Sequence, residues 1–339
     1  MSMDFYSEYI YPFVSGILSW ISCIVPFSLE EIVVLAFASG AVCYVILCVF
    51  RKIRFVQMLK RELLLLAGFL LWFYLGWGFN YMRTPLPERI GVKVPLFEKD
   101  TFMEFLDGYT RELQSASEDM LEWYIQNGYV AEHPDRESFL AMPDEHLVKK
   151  TESHVKEYFS GLPEKFGLCR PHNWQHPKKP LLNPLYSGVG VLGFMGPFFG
   201  ESQLNRDLPA VQYPSVMAHE FSHLLGVSSE AEANYWAYQA CRNSSDEIIR
   251  YSAYLSVFPY VWNSASGLLD EEEFQAWKKT VPALAILQAN ADSDYWDSKR
   301  IKVIDSIQEY FYNLYLKGNG ISSGLKNYSE VIGLLIAIP

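Results

Sequence analysis

Two long apolar runs joined by a purely basic loop constrain this chain more than any other feature. They are "IVVLAFASGAVCYVILCVF" (32–50) and "LLLLAGFLLWFYLGWGF" (63–79). With their flanks, each offers roughly the 20 apolar residues that a bilayer-spanning helix needs. The loop 51–61 between them holds Arg51, Lys52, Arg54, Lys60 and Arg61 without one acid. The positive-inside rule makes that loop cytoplasmic and places everything after Tyr81 outside the cytoplasm. The expected organisation is a multi-pass membrane region over 1–83, with transmembrane helices at about 31–50 and 62–80, and an extracytoplasmic domain over 84–339.

The segment "YIYPFVSGILSWISCIVPF" (9–27) holds Pro12, Gly16 and Pro26 and has no basic flank, so it does not read as a cleavable signal. It reads as an interfacial helix on the outer surface, with a third span as the alternative. Ser28 and Glu31 form a capping box for the next helix, with Phe27 and Ile32 as its hydrophobic staple. Trp72, Tyr74, Trp77 and Tyr81 fit an aromatic belt at the outer interface.

Acids and bases balance in the first 80 residues, so the remainder carries the whole formal charge of −11. A net-acidic domain repels phosphates, which excludes nucleic acid as a partner. The expected partners are the lipid bilayer and a peptide or protein substrate. Cys169 and Cys241 are the only cysteines beyond the membrane region, and they read as buried thiols or a disulfide pair.

Past the connector "RTPLPERIGVKVP", apolar residues recur at helical spacing over 101–128, and a further helix is expected near 145–160. Residues 161–202 are rich in Gly and Pro and hold the only plausible strands, and helices resume at about 211 and continue to the C-terminus. The fold class is therefore mainly α with a small β-sheet. Gly188, Gly190 and Gly193 satisfy G-x-G-x-x-G, but Gly196 and Pro197 follow too soon for the helix that a dinucleotide site must open. Gly190 and Gly193 read instead as part of an edge strand lining a substrate cleft, where a backbone edge could pair with an extended peptide.

The chemistry concentrates in "AHEFSHLLGVSSEAEANYWA" (218–237). His219 and His223 stand four apart, so on a helix they project from one face as two ligands of one ion must. Glu220 beside them is placed to take a proton from a metal-activated water. Pro214 starts this helix and Gly226 stops it. A di-iron site would need a second Glu-x-x-His pair, and none of the remaining histidines (133, 146, 154, 172, 176) supplies one. Zn²⁺ needs a third protein ligand while keeping one position open, and Glu230 and Glu232 compete for that role. With Ser229 as N-cap, Glu232 completes a capping box, whereas Glu230 heads a stripe of small residues (Ala233, Asn234, Ala237, Cys241) suited to packing on the first helix. That geometry favours Glu230 as ligand, with Asn234 and Glu232 as supporting residues behind the ligands. Tyr251 or Arg250 is the candidate donor to a developing oxyanion, and Glu201 and Asn205 are candidates for lining the cleft.

The pair of helices resembles the gluzincin class of zinc metallopeptidases, in which HExxH is followed by an E-x-x-A-D/N signature. Here that signature corresponds to Glu230-Ala231-Glu232-Ala233-Asn234. Only six residues separate His223 from Glu230, shorter than gluzincins usually show. The His223-x-x-Gly226 turn is similar to metzincins, whose third histidine would fall at Ser229. Over nearly its full length the chain resembles a bacterial membrane family catalogued as domain of unknown function 3810. The stretches are "YPFVSGILSWISCIVPFSLEE", "WGFNYMR", "GFMGPFFGESQLN", "HEFSHLLGVSSEAEANYWAYQAC" and "NGISSGLKNYSEVIGLL". Members typically carry one more spanning helix before the YPF segment, and this chain is expected to lack it. The resemblance implies a membrane-anchored, zincin-like domain and no particular substrate. Two functions follow as expectations: a zinc metallopeptidase acting outside the cytoplasm, or a non-catalytic zinc-binding membrane scaffold or sensor. A cleft open to the metal points to the first and a sealed site to the second.

Overall fold

A computed structural model describes residues 4–94, 98–128, 139–301 and 325–338. Within them the chain is mainly helical with one two-stranded antiparallel sheet. His133 and the expected helical continuation across 302–324 lie outside the described residues.

Helix α1 (Tyr11–Cys23) inverts the usual pattern of a surface helix. Tyr11, Ser15, Ser19 and Ser22 are buried against the rest of the protein, while Phe13, Ile17, Trp20 and Ile24 point outward. The serine face meets hydrogen-bonding partners such as Trp174, Gln175 and Glu201. The outer face of α1 is thus apolar and exposed. Tyr6 Oη donates to the Leu75 carbonyl at 2.7 Å, where this N-terminal segment meets the end of helix α3 (Phe55–Gly76).

Helix α2 (Leu29–Val49) is long and apolar enough to cross a membrane, and its apolar window is not buried by the rest of the protein. Its N-cap is Ser28, whose hydroxyl accepts from the Glu31 amide at 3.1 Å, as the capping box requires. The reciprocal half is absent, because the Glu31 carboxylate accepts instead from the amides of Leu181 and Leu182. The α3 helix is of similar length, but Lys60, Arg61 and Glu62 shorten its apolar run to 63–76. The basic loop lies at the end of the α2–α3 pair opposite the rest of the protein.

After a short helix, α4 (Leu86–Arg89), the body is built from α5 (Lys99–Gln126), α6 (Glu145–Gly161), α7 (Asn183–Gly188), α8 (Tyr213–Leu224), α9 (Glu230–Cys241), α10 (Glu247–Leu268), α11 (Glu271–Lys278), α12 (Ala283–Lys299) and α13 (Leu325–Ala337). Helix α9 packs between α8 and α10, and α10 backs onto α5. Met217, Phe221, Trp236, Leu113 and Val257 fill the space between them. The Asp144 and Asp246 carboxylates cap α6 and α10 by accepting from the amide three residues on, which anchors both helix starts. Cys169 and Cys241 are free thiols.

Strands β1 (Gly193–Gly196) and β2 (Glu201–Leu204) form a hairpin. The outer side of β2 is occupied by Lys178, whose backbone exchanges hydrogen bonds with Ser202 and Leu204 at 2.7 and 2.8 Å. Among the described residues, the outer edge of β1 has no strand partner.

The predicted boundary at residue 83 is crossed by hydrogen bonds. Trp77 Nε1 donates to the His223 carbonyl at 3.0 Å, Tyr11 Oη to the Leu224 carbonyl at 2.8 Å, and Arg83 Nη1 to the Gly226 carbonyl at 3.0 Å. Segments 1–83 thus hold the C-terminal end of α8 in place. Trp77 is buried here and Tyr81 turns into a cleft, so neither belongs to an outer aromatic belt; Tyr74 is the exposed one of the three. Trp72 is also engaged inward, donating to the Phe198 carbonyl.

Candidate metal centre

Helix α8 begins with Pro214 in its first turn, where a missing amide costs nothing, and ends at Leu225. Gly226 follows with φ +98°, a conformation that L side chains rarely adopt. A Cβ there would also meet Arg83 at 3.2 Å. The reversal at Gly226 lets α9 start at Glu230 and run back across α8, with Ser229 Oγ accepting from the Glu232 amide at 3.3 Å.

This turn brings His219, His223 and Glu230 together, with one ligating atom of each within 4.8 Å of the others. His219 Nε2 and His223 Nε2 are 3.1 Å apart, and Glu230 Oε2 and Oε1 lie 3.3 and 3.8 Å from them, respectively. Tetrahedral bonds of 2.0–2.1 Å place ligand atoms about 3.3 Å apart, so the three donors fit a zinc ion. The outer nitrogens are also engaged. His223 Nδ1 meets the Val227 carbonyl at 2.8 Å, and His219 Nδ1 meets Asn234 Oδ1 at 3.1 Å. Both contacts favour the tautomer that leaves Nε2 as a ligand. Asn234 is held in turn, its Nδ2 donating to Tyr260 Oη at 3.0 Å.

The charges agree with a cation site. Burial opposes positive charge at His223, yet Glu230 and then Glu220 favour it and raise the pKa to about 9. Burial would raise Glu230, and the two histidines outweigh it and hold the carboxyl well below the ordinary range. Burial raises the Glu220 carboxyl, partly offset by His219 and His223. Glu220 presses on the start of β1. A Cβ on Gly193 would lie 2.5 Å from Glu220 Cγ, so only glycine admits the carboxylate there.

A cleft of about 1090 Å³ opens over the three donors. Leu192, Gly193 and Phe194 form one wall, and Leu255, Ser256 and Tyr260 of α10 and Ala289, Asp292 and Ser293 of α12 form another. Gly190 lines the mouth in a left-handed turn at φ +72°, beside Arg300. Burial raises the Asp292 carboxyl to about 6.

Several expected roles do not survive this geometry. Tyr251 is fully buried against α5, near Ser117 and Tyr124, and is absent from the cleft. Arg250 pairs with Asp119 on the outer side of α5. Tyr260, missed in the sequence, lies nine residues after Tyr251, about half a turn round the helix, and so faces the cleft. Glu232 is not behind the ligands: its carboxylate accepts from the Leu86 amide at 2.7 Å and pairs with Arg89 at 3.4 Å, capping α4. Glu201 and Asn205 do not line the cleft. Glu201 accepts from Ser22, Ser28, the amides of Leu29 and Glu30, and Lys178, gripping the N-terminus of α2. Asn205 donates to the Val191 carbonyl at 2.8 Å and fixes the turn ahead of β1.

Two outcomes test the ligand set in the full chain held in micelles. Wild type and Glu232→Gln should retain about one zinc per chain by elemental analysis, whereas Glu230→Gln should lose it. Asn234→Ala should weaken zinc affinity by about 10–100-fold in chelator competition, because His219 loses its orienting partner.

Residues 6–336 match the family described as Protein of unknown function (DUF3810), and the chain belongs to that family. No curated protein and no solved structure matches it.

Proposed function

We propose that this family member is a membrane-anchored zinc metallopeptidase of zincin-like design, hydrolysing peptide bonds outside the cytoplasm. The observation that carries the reading is the convergence of His219, His223 and Glu230 on one point, with an open cleft on the remaining side and Glu220 beside it. Bound zinc would supply Lewis-acid polarisation of the scissile carbonyl and lower the pKa of a coordinated water. Glu220 takes the proton from the attacking water as its oxygen bonds to the carbonyl carbon, then passes it to the amine as the C–N bond breaks. Its burial suits it to hold that proton between the two steps. The open edge of β1 aligns an extended chain across the site by backbone pairing, and Gly193 makes room for the Glu220 side chain against that strand.

Topology follows from the basic loop. Arg51, Lys52 and Arg54 stand at the opposite end of α2 and α3 from the site, so a cytoplasmic loop leaves the site outside. We read α3 as a second span and α1 as lying in the outer interface, which makes the chain multi-pass.

The rival, a structural or sensory zinc site, calls for four protein ligands and closure from solvent. Among the described residues the cluster holds three metal-binding groups, and the Glu230 side chain is 44% exposed. The direct test incubates the zinc-loaded full chain in micelles with casein. New peptide termini, lost on chelation and restored by zinc, support the peptidase; zinc bound without cleavage supports the scaffold.

A further inference from the structure

The cleft does not end at the extracytoplasmic surface. Its polar end holds His219, Glu220, Glu230 and Asn234, while its other end is walled by Val34 of α2, Phe69 and Phe73 of α3, and Phe198, with the buried Glu30 carboxylate turned to the Phe198 amide. Val34 lies five residues inside the start of α2, and Phe69 lies seven residues before the end of α3. At 1.5 Å per residue the cleft therefore reaches about 7–10 Å down the apolar helices. Phe198 packs on Phe69 there, and the outward faces beside it are bare: Val34 and its neighbour Leu35 are exposed, as are Leu66 and Leu70. Trp77 ties the two ends together, since it follows α3 directly, lines the cleft and bonds the carbonyl of His223. That hydrogen bond joins the metal helix to the end of the bilayer-facing wall.

An occupant that fills this space has a polar backbone at the donors and an apolar continuation among aromatic and branched side chains at the depth of the outer leaflet. A wholly soluble polypeptide would have to leave water to reach that end. A polypeptide already anchored in the same membrane presents the required order of groups without that cost. We propose that the substrates are membrane-anchored polypeptides, cut on the extracytoplasmic side within a few residues of the anchoring segment. This rests on the peptidase reading above. An extended chain advances about 3.3 Å per residue, so a 7–10 Å descent corresponds to about three residues, and cleavage within roughly six residues of the anchor is expected.

The test uses the full chain in phospholipid vesicles, zinc-loaded, with one casein-derived segment in two forms. One form is free, and the other follows a single transmembrane helix inserted in the same vesicles with the segment on the outer face. Cleavage of the tethered form should be at least tenfold faster, with cut sites mapped by mass spectrometry clustered within about six residues of the helix. Val34→Trp should lower the tethered-to-free ratio at least fivefold at unchanged zinc content, whereas Leu35→Trp, on the neighbouring face outside the cleft, should leave that ratio as in wild type. Equal rates for the two forms, cuts spread evenly along the tethered segment, or a ratio insensitive to Val34→Trp would overturn the inference and leave the peptidase reading standing. Cleavage of neither form by the zinc-loaded chain would overturn both.

Discussion

Glu220→Gln is expected to retain zinc at wild-type stoichiometry and to lower hydrolysis by about 10²–10⁴-fold, the range typical of a lost general acid–base group. The substitution is nearly isosteric, so the contact with Gly193 persists and the ligands are untouched. What disappears is the basic oxygen that takes and returns the proton. Elemental analysis and a casein assay on the same preparation separate the two effects. Wild-type rates in the zinc-loaded variant would sink the mechanism, and loss of zinc together with activity would show Glu220 to be part of the metal site.

The second large effect lies away from the cleft. Glu201→Ala should destabilise the full chain by about 3–5 kcal/mol, the cost of removing one partner of a buried ion pair. Lys178 would be left without its carboxylate, with its side chain 10% exposed, and the first amides of α2 and two serine hydroxyls would lose their acceptor. Replacing Lys178 by Met in the same chain should recover only part of the loss, since the Leu29 and Glu30 amides stay unpartnered. Thermal unfolding in micelles, followed by circular dichroism, reads both variants. A Glu201→Ala chain as stable as wild type would show that the grip on α2 contributes nothing.

Both residues stand in the stretch that holds the hairpin and the metal helix, yet they differ in how far the sequence revealed them. Glu220 was legible because helical spacing is local: His219 and His223 four apart share a face whatever the chain does elsewhere. Glu230 was legible as a preference, since Ser229 already employed the amide of Glu232 as a cap. The carboxylate of Glu232 was expected to reach back within its own helix and instead caps α4, far away in the chain. Glu201 looked like a cleft residue because it precedes the metal helix, and nothing local could show that its five donors come from residues 22–30 and from Lys178.

The sequence by itself determined which of the long segments before 240 are helical, where α6, α8 and α9 begin, that α2 is apolar enough to span a bilayer, and which residues can gather around a metal. Those are matters of periodicity, capping and composition within a few turns. Only the tertiary structure decided which face of α10 meets the cleft, turning Tyr251 into the core and Tyr260 toward Asn234. It alone joined Trp77 to His223 and carried the cleft down between α2 and α3. Those contacts join residues from 26 to 146 positions apart, and their partners are chosen by packing and by the need to satisfy buried donors, which no local pattern records.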